Sequence, residues 1–265
     1  MKIATTSPPG SKGIAYVLGV AVVVCVFDLA AADVPCPIRV EQPDVLFPVD
    51  KMAPEAVCRM AAVVNGYTTH RIDPPASVPI PKSIYDFLLD HPVLTATLVR
   101  QLSLAATRIS QVGADAYQGD DGQGGEGLVT VLYQDGQRRV YHIKGSQRSS
   151  LFPMIAGAAV VMLNYHPKAA PDGRELVETR IIIYSKLENP YVAMLVQVLR
   201  PILQRAVNNR LTSAVLAVHR LCETIAADPE RVYREADALP DVERKDSEAF
   251  RALLAPSLKK GAAAP

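Results

Sequence analysis

The sequence predicts an α+β protein in which an antiparallel sheet packs against one long helix near the C-terminus. The helix is predicted over residues 189–228, because apolar residues recur there three or four positions apart. Asn189 suits the N-cap and Pro190 the first helical position, and Asp228-Pro229 ends the pattern. The middle of the chain alternates apolar and polar residues with period two, which is typical of strands. A helix of this length needs an extended surface to cover its apolar stripe, and the strands supply that surface.

Turn signals divide the middle of the chain into hairpins. Asp135-Gly136 is a strong two-residue hairpin signal, and Pro171-Asp172-Gly173 marks a second turn. The Gly-rich run 119–127 is predicted to be a flexible hairpin or loop, because it lacks the Lys-Ser/Thr of a phosphate-binding loop and opens no helix. The predicted strands are 63–72, 107–112, 128–133, 138–144, 156–166 and 175–185.

Shorter helices are predicted over residues 54–62, 81–89 and 93–104. His91-Pro92 separates the last two, which therefore form an angled pair. Pro201 lies inside the long helix and removes a backbone hydrogen bond, so a bend is predicted there. After Pro229 the chain is charged and lacks a clear core pattern. A surface helix is predicted between residues 231 and 254, with disorder from 255 to 265.

The net charge and the absence of known short motifs argue against several classes of function. A net charge of +1 over 265 residues gives no electrostatic case for nucleic acid as a partner. No Cys-x-x-Cys, His-Glu-x-x-His or EF-hand spacing is present, so neither a metal nor a cofactor is predicted. His142 and His166 lie on predicted strands and could meet in space, although ordinary edge residues are the alternative.

The N-terminus resembles a secretory signal. Lys2 and Lys12 form a basic region, residues 13–27 are apolar, and Ala30-Ala31-Ala32 supplies small residues for cleavage. The apolar run is short for a transmembrane helix, which needs about 20 residues. We therefore expect a periplasmic or secreted protein, with an uncleaved anchor in the inner membrane as the alternative.

The cysteines agree with an exported protein. One disulfide is predicted between Cys36 and Cys58, because both lie in the Pro-rich N-terminal segment that has no other obvious constraint. The alternative is that Cys58 and Cys222 are small apolar residues of helices in the core.

The order of elements is similar to the helix-grip fold of the START-like superfamily, which includes lipid-transfer, polyketide-cyclase and coenzyme Q-binding relatives. The resemblance is carried by VVNGYTTHRI, SIYDFLLDHPVLTATLVRQL, LVTVLY-QDG-QRRVYHIK with the two following strands, and NPYVAMLVQVLRPILQRAVNNRL. It implies a curved antiparallel sheet wrapped around the long C-terminal helix, with two short helices after the first strand. The predicted organisation is a signal peptide (1–32), a Pro-rich arm with a short helix (33–61), a START-like domain (62–228) and a charged, partly disordered tail (229–265).

In such folds an apolar cavity lies between the sheet and the last helix. The resemblance therefore implies an exported binding or transfer protein for a hydrophobic, lipid-like small molecule. Flexible Met and buried Tyr side chains suit such a pocket, although the same residues also fill ordinary cores. The predicted ligand-binding residues are Tyr133, Tyr141, Met162, Tyr165, Tyr184, Met194, Val198 and Ile202.

Two other classes of function remain open. A cyclase or hydrolase on the same fold would need acid and base groups such as His142, His166 or Tyr165 inside the cavity. A structural or interaction protein would have a filled core and would engage a partner through its arm or tail. A basic group is predicted to be a solvated face that could also contact anionic lipid headgroups at a membrane surface. It comprises Arg138, Arg139, Lys144 and Arg148.

Overall fold

The computed structural model describes residues 36–40, 45–148, 154–188, 200–237, 239–240 and 242–261, with side chains omitted at 200–213 and 259–261. After a short 3-10 turn (Val49–Lys51), the described helices are α1 (Pro54–Val64), α2 (Lys82–Asp90), α3 (Pro92–Gln101), α4 (Arg200–Ala227), α5 (Pro229–Glu235) and α6 (Arg244–Gly261). The described strands are β1 (Thr69–Ile72), β2 (Ala76–Val78), β3 (Arg108–Gly113), β4 (Ala116–Asp120), β5 (Gly125–Gln134), β6 (Arg138–Gln147), β7 (Ile155–Ala169) and β8 (Glu175–Leu187).

All described strands form one antiparallel sheet in the order β1-β8-β7-β6-β5-β4-β3, and β2 also pairs with β8. The long helix α4 packs on one face of this sheet together with α2 and α3. Leu221 and Ile225 of its predicted apolar stripe are buried there. The predicted α+β class is therefore confirmed, as a helix-grip arrangement of a curved sheet, a long helix and two short helices after the first strand.

The two faces of the sheet carry separate cores. The face toward α4, here called the inner face, includes Val161, Leu163 and Ile183 and packs against α2 to α6. The opposite or outer face includes Met162 and Ile182 and packs against α1 and the N-terminal arm. Because side chains alternate along a strand, neighbouring residues of β7 and β8 belong to different cores.

A row of glycines crosses the inner face where the strands approach closely. Gly127, Gly145 and Gly157 are paired in register across β5, β6 and β7. A Cβ atom on Gly145 would lie 2.5 Å from the Glu126 carbonyl oxygen, and one on Gly157 would lie 2.6 Å from that of Lys186. Glycine lets the backbones come this close, and glycine kinks are a common source of sheet curvature.

Gly145→Ala should therefore destabilise the fold by about 1–3 kcal/mol, because the new methyl group collides with backbone of β5. Gly136→Ala is the matched control: nothing lies within 4 Å of its Cβ position, so we expect a change within about 0.5 kcal/mol. Urea unfolding followed by circular dichroism measures both. Equal stability of the two variants would contradict a close approach of β5 and β6.

Three sequence predictions about the sheet need correction. The strand predicted over 63–72 begins only at Thr69, because α1 continues to Val64. The Pro-rich segment 73–81, for which no strand is predicted, contains β2, which pairs with β8. No strand is predicted between residues 113 and 127, whereas Ala116–Asp120 forms β4 between β3 and β5; the Gly-rich run itself contains the turn of the β4–β5 hairpin. Short strands of this kind depend on hydrogen bonds to neighbours and carry little local signal.

The C-terminal segment belongs to the core, which corrects the predicted surface helix. Val232 of α5 and Phe250 and Leu254 of α6 are fully buried. Phe250 stacks on Phe87 of α2 with ring centroids 5.7 Å apart. Phe250 and Leu254 are four residues apart on one helical face, and the charged residues around them mask this pattern in the sequence.

The N-terminal arm is tied to α1. Cys36 and Cys58 form the predicted disulfide, with Cα atoms 5.1 Å apart. The Asn65 side chain also holds the arm, since it accepts from the Arg39 amide and donates to the Pro37 carbonyl, each at 2.8 Å. Cys222 is a buried free thiol, as the alternative for that residue predicted.

Several predictions lie outside the described residues. These are the signal sequence 1–32 and the helix start at Asn189-Pro190. The bend at Pro201 stays a prediction. Within the described part of the chain, no helix combines the length and the apolar character needed to cross a bilayer.

Candidate functional site

The inner face is covered unevenly. On β7 and β8 its apolar residues are buried, with Val161, Leu163, Ile181 and Ile183 each at most 5% exposed. On the neighbouring strands β4, β5 and β6, the apolar residues of the same face are only half-buried. These are Tyr117, Val129, Val131, Tyr141 and Ile143. The sheet thus presents an apolar floor that the described helices do not fully cover.

A cleft of about 800 Å³ opens beside this floor, between β3 and β4, helix α3 and the start of α6. Its walls are mixed. Leu94 and Ile109 are apolar, whereas Asp90, Arg100 and Asp246 are charged. The volume lies within the range of small-molecule sites, about 300–1,000 Å³.

Arg139 lies at the end of the floor nearest α2. Its side chain projects from the inner face of β6 and is 4% exposed. Nη2 donates to Asp90 Oδ1 at 2.7 Å, whereas the Asp90 side chain, which also lines the cleft, is 49% exposed. The guanidinium Nε has no hydrogen-bond partner among the described residues. Nη1 also donates a long hydrogen bond to Gln134 Oε1 at 3.4 Å, so Asp90 supplies the counter-charge and Nε remains a free donor within the described residues.

Three tyrosines surround this guanidinium. Tyr85 of α2 is fully buried, its ring lies 5.4 Å from that of Tyr165, and its hydroxyl has no partner among the described residues. The Tyr165 hydroxyl donates to the Asp135 carbonyl at 3.2 Å. Burial raises the pKa of Tyr141 to about 12 and holds the pKa of Tyr85 well above its usual value. All three hydroxyls are therefore protonated near neutral pH and can donate hydrogen bonds.

His219 of α4 extends the polar group toward β8. The Thr179 hydroxyl donates to the Ala76 carbonyl at 3.1 Å, so the His219 Nε2, 3.2 Å away, must be the donor to the Thr179 oxygen. Burial lowers the pKa of His219, which favours the neutral ring. Burial also raises the pKa of the nearby Cys222 thiol, so that thiol is a weak nucleophile. His219, Thr179 and Cys222 therefore contribute to the packing of α4 on β8 rather than to reactivity.

The predicted ligand-binding residues are divided between the two faces. Tyr141 and Tyr165 lie on the inner face, in the polar group just described. Tyr133, Met162 and Tyr184 lie on the outer face, in the core beneath α1 and the arm. Met194 and Val198 lie outside the described residues, and Ile202 lies in α4 with its side chain undescribed. The eight residues therefore do not line one pocket, and their role in binding stays a prediction.

The two strand histidines do not meet, which corrects the predicted contact. His142 pairs with Val160 of β7, six residues from His166 along the same strand. At about 3.4 Å per residue the two lie about 20 Å apart. Both project from the outer face, and His166 lies 3.3 Å from Glu178. Of the three acid or base groups named for the enzyme alternative, Tyr165 lies on the inner face and the two histidines do not.

Sequence reasoning missed Arg139, Tyr85 and Tyr117. The solvated basic face predicted from the sequence includes Arg139 together with Arg138. Adjacent residues of a strand point to opposite faces, so one arginine of this pair had to point inward. This alternation in the sequence could therefore have predicted an inward-pointing arginine. Tyr85 and Tyr117 carry no comparable signal, because tyrosine is common in both helices and strands of cores.

Within the described part of the chain, no three His, Cys, Asp or Glu side chains are placed to hold a metal ion. The candidate site has three parts: the apolar floor on β4 to β6, the open cleft beside β3 and β4, and the buried polar end around Arg139.

Comparison with known proteins gives no family assignment. No protein-family profile matches the chain, and no curated protein of similar sequence was found. Solved structures of similar chain path include a conserved protein from Geobacillus kaustophilus, with 9% identity, TM-score 0.41, and coverage of 57% of this chain and 93% of that one. Ara h 8.0201 has 12% identity, TM-score 0.37 and coverage of 58% and 98%. An uncharacterised protein from Rhizobium leguminosarum has 12% identity, TM-score 0.30 and coverage of 57% and 96%.

Proposed function

We propose that this protein binds or transfers a hydrophobic, lipid-like small molecule on the inner face of its sheet. The single observation behind the proposal is the contrast along that face. The apolar residues of β7 and β8 are buried, whereas those of β4 to β6 are half-buried beside an open cleft. Leaving apolar area in water costs about 25 cal/mol per Å², and a bound apolar molecule would recover that free energy.

The buried polar end supports a ligand that also carries a polar group. Tyr85 Oη, Arg139 Nε and Asp86 Oδ1 are each buried without a partner among the described residues. An unpaired buried donor or acceptor costs about 1–3 kcal/mol, so such groups usually meet an ordered water or a ligand. An amphipathic molecule with its polar end near Arg139 and its apolar part along Val129 and Val131 fits both features.

We also propose that the protein works outside the cytoplasm. The Cys36–Cys58 disulfide supports this proposal, because disulfides form and persist in oxidising compartments. An exported carrier of apolar molecules would pass them through water between membranes or proteins.

The test compares two neighbouring residues of β5 that point to opposite faces. Val129→Lys places a charge on the inner floor, whereas Leu128→Lys places the same charge on the outer face, where the leucine is 40% exposed. Titration with cis-parinaric acid, a fluorescent fatty acid, measures the dissociation constant. We expect saturable binding that Val129→Lys weakens about tenfold or more, because a lysine there must be desolvated against the ligand. Leu128→Lys should stay within about twofold.

Thermal unfolding of each variant confirms that it is folded before affinities are compared. Protein purified from its own host is also extracted and analysed by native mass spectrometry for a bound lipid. Absence of saturable binding together with absence of a co-purified molecule would overturn the proposal. Equal weakening by both substitutions would place any binding elsewhere than on the inner floor.

A further inference from the structure

The outer face carries a second, separate cleft of about 390 Å³. Its floor is formed by β6, β7 and β8, and its walls by Leu46 of the arm and Pro75 of the link between β1 and β2. Met162 closes the apolar end of the floor. The sheet separates this cleft from the inner face, so an occupant here would be independent of the proposed hydrophobic ligand.

Two arginines and an asparagine form one row across the cleft floor. Arg138, Asn164 and Arg180 are paired residue to residue in β6, β7 and β8 and project from the same face. Neighbouring strands lie about 4.8 Å apart, which places the two arginine Cα atoms about 10 Å apart. Two arginines thus flank one side-chain amide on neighbouring strands of the same face.

The first arginine is already oriented. Arg138 Nε donates to Asn164 Oδ1 at 2.7 Å, and its Nη1 donates to the Leu46 carbonyl at 3.1 Å. The Asn164 oxygen is therefore used, and its NH₂ group remains as a donor toward the cleft. The row presents N–H donors from three strands.

The second arginine has no counter-charge in the part of the chain that the structure describes. Arg180 is half-buried, and no carboxylate of the described residues pairs with it. The acid that lines this cleft, Glu178, is already bonded to Lys168 Nζ at 2.6 Å and lies 3.3 Å from His166 Nε2. The cleft therefore carries surplus positive charge, and a half-buried guanidinium without a partner favours an incoming anion.

We propose that this cleft binds a phosphate group, with Arg138 and Arg180 on either side and the Asn164 amide between them. Guanidinium groups bind oxyanions through paired hydrogen bonds, and a tetrahedral phosphate accepts donors from several directions at once. The phosphate belongs either to a soluble molecule or to a lipid headgroup. Leu46, which is 73% exposed at the cleft wall, would contact a membrane in the second case.

The test uses the full chain in a phosphate-free buffer of about 50 mM ionic strength, because salt screens half-exposed charges. Inorganic phosphate is titrated while the ¹⁵N resonances of the arginine Nε–H and asparagine NH₂ groups are followed. We expect saturable shifts at Arg138, Asn164 and Arg180. Arg180→Gln should weaken binding about tenfold or more, since a charge-assisted hydrogen bond is lost. Arg174→Gln, which removes an exposed charge paired with Asp172 in the β7–β8 turn, should change it less than about twofold.

A second arm distinguishes the source of the phosphate. Sedimentation is measured with vesicles containing phosphatidylglycerol and with vesicles of phosphatidylcholine alone. Saturable phosphate binding that Arg180→Gln weakens about tenfold or more supports a soluble ligand. Sedimentation with phosphatidylglycerol vesicles that Arg180→Gln removes and Arg174→Gln retains supports a headgroup. Binding in neither arm, or equal loss in both variants, overturns the proposal. Val129→Lys should bind phosphate like the unmodified chain, so failure of the inner-face proposal remains separable from failure of this one.

Discussion

Phe250→Ala should lower the free energy of unfolding by about 3–5 kcal/mol, which is the usual cost of removing a fully buried aromatic side chain. Phe250 is 0% exposed and packs on Phe87 of α2, in the same core as the inner face of the sheet. The substitution leaves a cavity between α6 and α2 that these helices can close only in part. Urea unfolding should show a lower midpoint with an unchanged slope, since a native-state cavity does not alter the surface exposed on unfolding.

Leu216→Ala is the control for this prediction. Leu216 is 45% exposed on α4, so its truncation should cost less than about 1 kcal/mol. A cost for Phe250→Ala as small as that for Leu216→Ala would show that α6 is dispensable for the core. That result would restore the C-terminal segment to the surface position that the sequence predicted.

Asp90→Ala should cost about 3 kcal/mol of stability, because it leaves the buried Arg139 guanidinium without its counter-charge. Arg139→Met removes the buried partner instead. It leaves the Asp90 carboxylate half-exposed to water and fills the space of the arginine stem with an aliphatic chain, so we expect a cost below about 1 kcal/mol. Removing Asp90 should thus lower the stability much more than removing Arg139, although the two residues form one ion pair.

The double variant Asp90→Ala/Arg139→Met closes the cycle. It should be about as stable as Arg139→Met alone, because the carboxylate matters for stability only while the buried cation is present. Chemical denaturation of all four proteins measures the coupling free energy. Additive costs in the double variant would show that Asp90 and Arg139 act independently. Equal costs for the two single variants would contradict only the expected asymmetry between the buried cation and the exposed carboxylate.

Short residue patterns were enough to predict the turns and helix ends that depend only on residues adjacent in the sequence. The Asp135-Gly136 signal corresponds to the β5–β6 hairpin, where the Asp135 carboxylate accepts from the amides of Gln137 and Arg138. The break between α2 and α3 at His91-Pro92 follows from the restriction that proline places on the preceding residue. The Cys36–Cys58 pairing was similarly predictable, because both cysteines lie in one short segment.

The assignment of side chains to the two faces was decided by tertiary structure. Val129, Val131 and Tyr133 alternate in the sequence and so predict a common face. A β-bulge between Val131 and Tyr133 shifts the register, so Tyr133 pairs with Val140 and joins the outer core. The sequence predicted one set of ligand-binding residues, and the bulge is one reason why that set is divided between two faces.

The amino-acid sequence by itself determined the fold class, the hairpins and the helix pair, since each follows from backbone preferences or from periodicity over a few residues. It also determined the disulfide, because Cys36 and Cys58 lie in one short segment. Only the tertiary structure decided that Arg139 is buried beside Tyr85, that Arg180 pairs with no carboxylate of the described residues, and that Phe250 completes the core. The physical reason is that burial and pairing of charges depend on residues far apart in the chain. Phe250 meets Phe87 across 163 positions, a separation that no local pattern encodes.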